Sequence, residues 1–160
     1  MTYNHTALYK QVSDEASMCG EGNDCAIKAI SLVTGVSYKR VAELSYKLGR
    51  TKGEGTKKII SFNILKALGF EIRHIEGKNL DEFAQIITQT YTGYYQPKNL
   101  TLAQVGRNTI WKHMPKMILF THRHAAACID GVVHDHAANS KRRIEWIWVV
   151  EDTGKPMVKI

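Results

Sequence analysis

Apolar residues return at helical spacing through the first half of the chain and at strand-like spacing through the last third. Ile27, Ile30 and Val33, flanked by Ala26 and Ala29, share one face at the three- and four-residue steps of an α-helix. Asp24 stands just before them as an N-cap, its carboxylate expected to accept from the free N–H groups of the first turn. Thr34-Gly35 closes this helix, glycine being the usual left-handed terminator. Ser37 caps a second helix with Val41, Leu44 and Leu48 as its stripe, ended by Gly49. A polar, glycine-rich loop follows over 50–57, then a third helix from Lys58 to Leu68, stopped at Gly69. Phe70–Ile75 alternates as a strand should. Asn79 or Asp81 starts another helix through Phe83, Ile86 and Ile87, Tyr91–Asn99 is an aromatic loop, and Thr101–Val105 is a short helix. Residues 1–19 show no clear period and read as an arm or short strand.

The last third reads as β. Lys116–Thr121 is a buried strand, and Ile144–Val150 is a further one rich in aromatic and branched residues. Between them, His124–Ile129 and Val132–Asp135 flank Asp130-Gly131, the pair that suits a two-residue type I′ hairpin turn. The predicted fold class is α+β, a helical N-terminal half packed on a mainly antiparallel sheet from the C-terminal third. No internal repeat or linker divides the 160 residues, so 1–160 is read as one domain.

Composition narrows the function classes without choosing one. Hydrophobic content of 44% and charged content of 23% suit a globular protein, and no run approaches membrane-spanning length. The N-terminus lacks the apolar core of a signal peptide, and three cysteines without an export signal argue for reduced thiols and a cytoplasmic location. A net charge of +7 predicts weak, non-specific attraction to nucleic acid. The densest basic run, Lys141-Arg142-Arg143, is short and reads as a solvated loop.

Cys25 falls at the first helical position, where the helix dipole and free N–H groups favour thiolate over thiol. Such a cysteine is a nucleophile if a histidine reaches it, and otherwise a small buried hydrophobe at the start of a core helix. The hairpin supplies a candidate partner. Pairing Ile129 with Val132 places His124 opposite Ala137 and Asp135 opposite Ala126, so His124 and Asp135 are diagonal neighbours on one face. The acid would then fix the imidazole tautomer and favour its charged form. Against this stand a structural histidine and an aspartate that only caps the hairpin. Cys128 reads as a core residue and Cys19 as a loop thiol. Two His-x-His pairs, His122 with His124 and His134 with His136, raise the rival of a zinc site. The same register puts the pairs on opposite faces, so no metal and no cofactor is expected.

Asn-Asp-Cys-Ala-Ile-Lys-Ala at 23–29, Gly49-Arg50 with Gly55-Thr56, and His-Ala-Ala-Ala-Cys-Ile-Asp-Gly-Val-Val-His-Asp at 124–135 resemble the small papain-like cysteine peptidase proteins of bacteriophages and mobile elements. The order of cysteine, histidine and then aspartate on the following strand is similar to that of the bacteriocin-leader peptidases. The resemblance covers roughly 20–56 and 117–150. It implies a papain-like fold, thiol hydrolase chemistry (peptidase or protein deamidase) on a protein or peptide substrate, and Cys25, His124 and Asp135 as the triad. For a phage-encoded protein it implies the host cytoplasm. Papain-like enzymes usually place an oxyanion-hole glutamine about six residues before the cysteine. Cys19 stands there, so Asn23 or Gln11 is expected to serve beside the backbone N–H of Cys25. The alternative is a catalytically degenerate member, acting as a basic binding protein for a host protein or nucleic acid.

Overall fold

The computed structural model describes residues 6–80, 82–83, 100–106, 115–138 and 140–158. Four helices come first, α1 (Ala7–Met18), α2 (Cys25–Thr34), α3 (Tyr38–Lys47) and α4 (Lys58–Ala67). They are followed by β1 (Phe70–Glu76), a short α5 (Leu102–Gly106), β2 (Met117–Thr121), β3 (His124–Ile129), β4 (Val132–His134) and β5 (Trp146–Asp152). The strands form a five-stranded sheet of order β1-β5-β2-β3-β4, each neighbouring pair antiparallel. The α+β class expected from the patterning is therefore present.

Alternation along the strands feeds two apolar layers. Ile118, Phe120, Ala125, Ala127, Trp148 and Val150 face α1–α4, while Met117, Leu119, Ala126, Cys128, Ile147 and Val149 meet Leu80, Leu100, Leu102, Val105 and Ile144 on the other side. Both faces of the sheet are covered, which is why β2 reads as a continuous apolar run rather than an alternating one. Ile27, Ile30 and Val33 of α2 are fully buried, each such side chain worth about 1.5–3 kcal/mol of transfer free energy.

Several boundaries differ from the sequence expectation, each for a physical reason. Of residues 1–19, the described part, 6–19, is helical rather than an arm or a strand. Thr6 caps α1 by accepting from the Tyr9 N–H, and Tyr9, Val12 and Ala16 bury a narrow stripe against the core. Asp24 precedes α2 but makes no side-chain cap. Its carboxylate instead accepts from the buried Tyr38 hydroxyl at 2.6 Å and lies 3.5 Å from Lys28 Nζ. The last strand spans 146–152 rather than 144–150, because Ile144 turns into the second apolar layer and its N–H donates to the Leu100 carbonyl. The backbone is helical at 78–80 and 82–83; the rest of that expected helix, and the Tyr91–Asn99 loop, lie outside the described residues.

One glycine is held by close approach. At Gly69 (φ 91°) an added Cβ would meet the Pro156 nitrogen at 2.7 Å, because the C-terminal segment crosses the end of α4 there.

Candidate active site

Asp130 and Gly131 take φ of 52° and 78°, the left-handed pair that a type I′ turn demands, and Ile129 pairs with Val132 as expected. The ladder ends at Ala127–His134. Beyond it the chain bends instead of continuing the strand, so Asp135 does not sit opposite Ala126 in a ladder. The bend is fixed by Asp135 itself, whose Oδ2 accepts from the Ala137 N–H at 2.9 Å. That same oxygen lies 2.7 Å from His124 Nε2, and both side chains are buried.

With Nε2 engaged by the acid, Nδ1 is the ring nitrogen left to face Cys25, and thiol and imidazole shift each other's titration. Burial alone would depress the imidazole, yet the hydrogen bonds from Asp135 and Cys25 outweigh it and raise His124 to about 9. Burial alone would raise the thiol, but the His124 hydrogen bond, the N–H groups of Ala125 and Ala26 and the imidazolium charge lower it below an ordinary cysteine. The uncapped N-terminus of α2 contributes here. Because Asp24 turns to Tyr38, its carboxylate does not occupy the first-turn N–H groups beside the sulfur. The other cysteines differ. Burial pushes Cys128 up to about 12, and Cys19 sits half-buried at the end of α1.

The three residues open onto a cleft of about 760 Å³. One wall is the Asn23–Lys28 stretch, and another is Gly55–Lys58 with Ser61 at the start of α4. The end of the sheet closes it with Phe120, Thr121, Arg123, Ala125 and Trp146. Trp146 stacks on Phe120 (centroids 5.1 Å) under Lys58, whose Nζ lies 4.5 Å from the indole centroid. Arg123 holds a φ of 54° in the β2–β3 turn. Thr56 Oγ1, Thr121 Oγ1 and Trp146 Nε1 are buried without a hydrogen-bond partner among the described residues, and all three residues line the cleft.

The two oxyanion-hole candidates part company. Asn23, at φ 49°, lines the cleft and donates through Nδ2 to the Gly53 carbonyl at 3.0 Å. Gln11 is exposed on α1 and is not among the residues lining the cleft.

The four histidines are also sorted differently from the register argument. His122 lies in the β2–β3 turn, largely exposed, 3.7 Å from Glu145. His134 is buried and shares a 2.6 Å hydrogen bond with Thr6. His136, expected on the opposite face from His124, is carried by the bend at Asp135 to an edge-on contact with the His124 ring (centroids 5.0 Å). Its Nδ1 lies 3.6 Å from Asp135 Oδ1 and 3.4 Å from the Tyr9 hydroxyl.

Patterning also missed a buried cluster beneath the cleft. Glu21 accepts from Arg50 Nη1 (2.7 Å), from the Gly53 N–H (2.9 Å) and from the Tyr46 hydroxyl. Arg50 also donates to the Gly22 and Glu54 carbonyls. Both side chains are wholly buried, and although burial opposes it, these partners hold the Glu21 carboxyl at about 2. The cluster ties the 50–56 loop to the segment that leads into Cys25. Its only sequence signal is the Gly49-Arg50 and Gly55-Thr56 pattern. No family model, curated protein or solved structure matches this chain.

Proposed function

We propose that this protein is a papain-like thiol hydrolase, a cysteine peptidase or protein deamidase, using Cys25 as nucleophile, His124 as acid and base and Asp135 as the orienting acid. The observation that carries the reading is the buried His124–Asp135 hydrogen bond aimed at a cysteine on an uncapped helix N-terminus. Isolated, each residue has a structural explanation; a lowered thiol and a raised imidazole facing one cleft are what acyl transfer requires.

In the proposed reaction the Cys25 thiolate adds to an amide carbonyl carbon, and the π electrons move to the oxygen. His124 gives its proton to the departing amine as the C–N bond breaks, leaving a thioester. Water then attacks that thioester, His124 takes its proton, and the C–S bond breaks to release the acid product and restore the thiolate beside the imidazolium. The Cys25 backbone N–H and the second N–H of the Asn23 amide, one being spent on Gly53, are the proposed oxyanion donors.

The second reading, a binding protein for an anionic host protein or nucleic acid, draws on Lys28, Lys57, Lys58 and Arg123 around the same cleft. The deciding experiment compares proteomes exposed to the parent and to Cys25→Ser. New protein termini or newly deamidated glutamines that depend on Cys25 are expected. Identical proteomes, with the same proteins captured by both forms, would favour the binder.

A further inference from the structure

We propose that His124, Asp135 and His136 form a site for a divalent ion of the zinc class, and that its occupation removes His124 from acid–base work. The site itself needs only geometry; the regulatory half rests on the hydrolase reading above.

One ligand atom from each of the three residues lies within 4.8 Å of the others. A tetrahedral zinc with bonds of roughly 2.0–2.2 Å separates its ligand atoms by roughly 3.3–3.6 Å. His124 Nε2 lies 2.7 Å from Asp135 Oδ2 and His136 Nδ1 lies 3.6 Å from the other oxygen, Oδ1, so the carboxylate stands between the two imidazoles. Side-chain shifts within about 1.5 Å close the set. The donor chemistry, two imidazoles and a carboxylate, is that of zinc sites which keep a fourth position for water. The bend at Asp135 is what assembles it, since a continued strand would carry His136 away from the base. Two of the three donors are buried and prepositioned, while His136 is about half exposed and gives the ion its way in.

Zinc at His124 Nε2 replaces the proton shared with Asp135. The ring then keeps a single proton, on the nitrogen facing Cys25, and no longer cycles between imidazolium and imidazole. Acyl transfer stops. The thiol is not a ligand in this arrangement, so Cys25 stays open to alkylation.

The test titrates zinc into the parent, His136→Ala and Cys25→Ser proteins against a chromogenic chelator, with cobalt(II) as a spectroscopic substitute. Stoichiometric binding by parent and Cys25→Ser is expected, with at least tenfold weaker binding by His136→Ala. The cobalt form should show tetrahedral visible bands without a thiolate charge-transfer band, and the zinc form should still alkylate at Cys25. No binding by the parent, equal binding by His136→Ala, a thiolate band or a protected thiol would each overturn the site. If zinc binds as described while no Cys25-dependent product is found in the proteome comparison, the metal site stands and the hydrolase reading fails.

Discussion

His124 and Asp135 are joined by a 2.7 Å hydrogen bond although the strand ladder of their hairpin stops one residue before the acid. The partnership is made by a bend that Asp135 itself stabilises through the Ala137 N–H, so the acid both shapes its loop and orients the base. Asp135→Asn, which keeps that shape, is therefore the sharper probe. It should keep the protein folded while slowing Cys25 chemistry; a normal rate in a folded Asp135→Asn protein would remove the acid from the proposed triad.

Cys25 should alkylate selectively at about pH 6, where an ordinary thiol with a pKa near ~8.5 is almost wholly protonated. Cys128 is buried with its thiol pushed up to about 12, so it should stay unmodified. His124→Ala should slow labelling strongly, because it removes the imidazole whose hydrogen bond and charge lower the thiol. Peptide mapping after iodoacetamide treatment reads the result. Equal labelling of Cys19 and Cys25 would refute an activated nucleophile.

The pH dependence has a defined sign. His124 is raised to about 9, so the proton needed by the leaving amine is present below that value and lost above it. Turnover of a reporter peptide should fall as pH rises through about 9, while alkylation of Cys25 should not fall with it. For stability, a raised imidazole contributes below its unfolded value of about 6.5 and loses that contribution as pH climbs to about 9. In Cys25→Ser the thiol's opposing trend is gone and Asp135 alone holds the imidazole up, so the thermal midpoint should decline as pH climbs past about 6.5, over a narrower window.

Asn23→Ala should cut turnover by about 10²–10³-fold if its amide is the second oxyanion donor. It should leave the alkylation rate at pH 6 close to parental, since alkylation builds no oxyanion. Unchanged turnover would move the donor elsewhere. Gln11→Ala should behave as the parent, given its exposed place on α1.

Glu21→Gln should destabilise the fold by about 3–5 kcal/mol, because it strands the wholly buried Arg50 charge. Replacing both, Glu21→Gln with Arg50→Met, should recover part of the loss. Chemical denaturation of the three proteins checks this, and a single variant no less stable than the double one would refute the pairing.

The parts legible in the sequence were those governed by neighbours along the chain. Ser37 accepting from the Arg40 N–H, the left-handed Gly35 and the Asp130-Gly131 turn are decided within four residues, and each lies where its chemistry puts it. Cys25 at the start of α2 follows from the same local rule. The misses were settled at a distance. Asp24 has good capping chemistry, yet Tyr38, fourteen residues on, claims its carboxylate. The stripe of α1 is three residues wide and hidden among polar positions until it meets the α2 layer. His136 was assigned by extending a strand that ends at His134, and nothing in the hydrophobic pattern marks where a ladder yields to a side-chain-stabilised bend. Glu21 with Arg50 spans 29 residues and leaves no period to read.

The spacing of the three reacting groups also bears on synthesis. In the proposed triad His124 and Asp135 belong to one hairpin, eleven residues apart, whereas Cys25 precedes His124 by 99 positions in the chain. At about 5–20 residues per second, Cys25 is added to the chain roughly 5–20 s before His124. During that interval the thiol has no imidazole beside it and reacts as an ordinary cysteine. The proposed pairing of Cys25 with His124 therefore waits for the last third of the chain to pair its strands, and a product terminated before His124 would carry the cysteine without it.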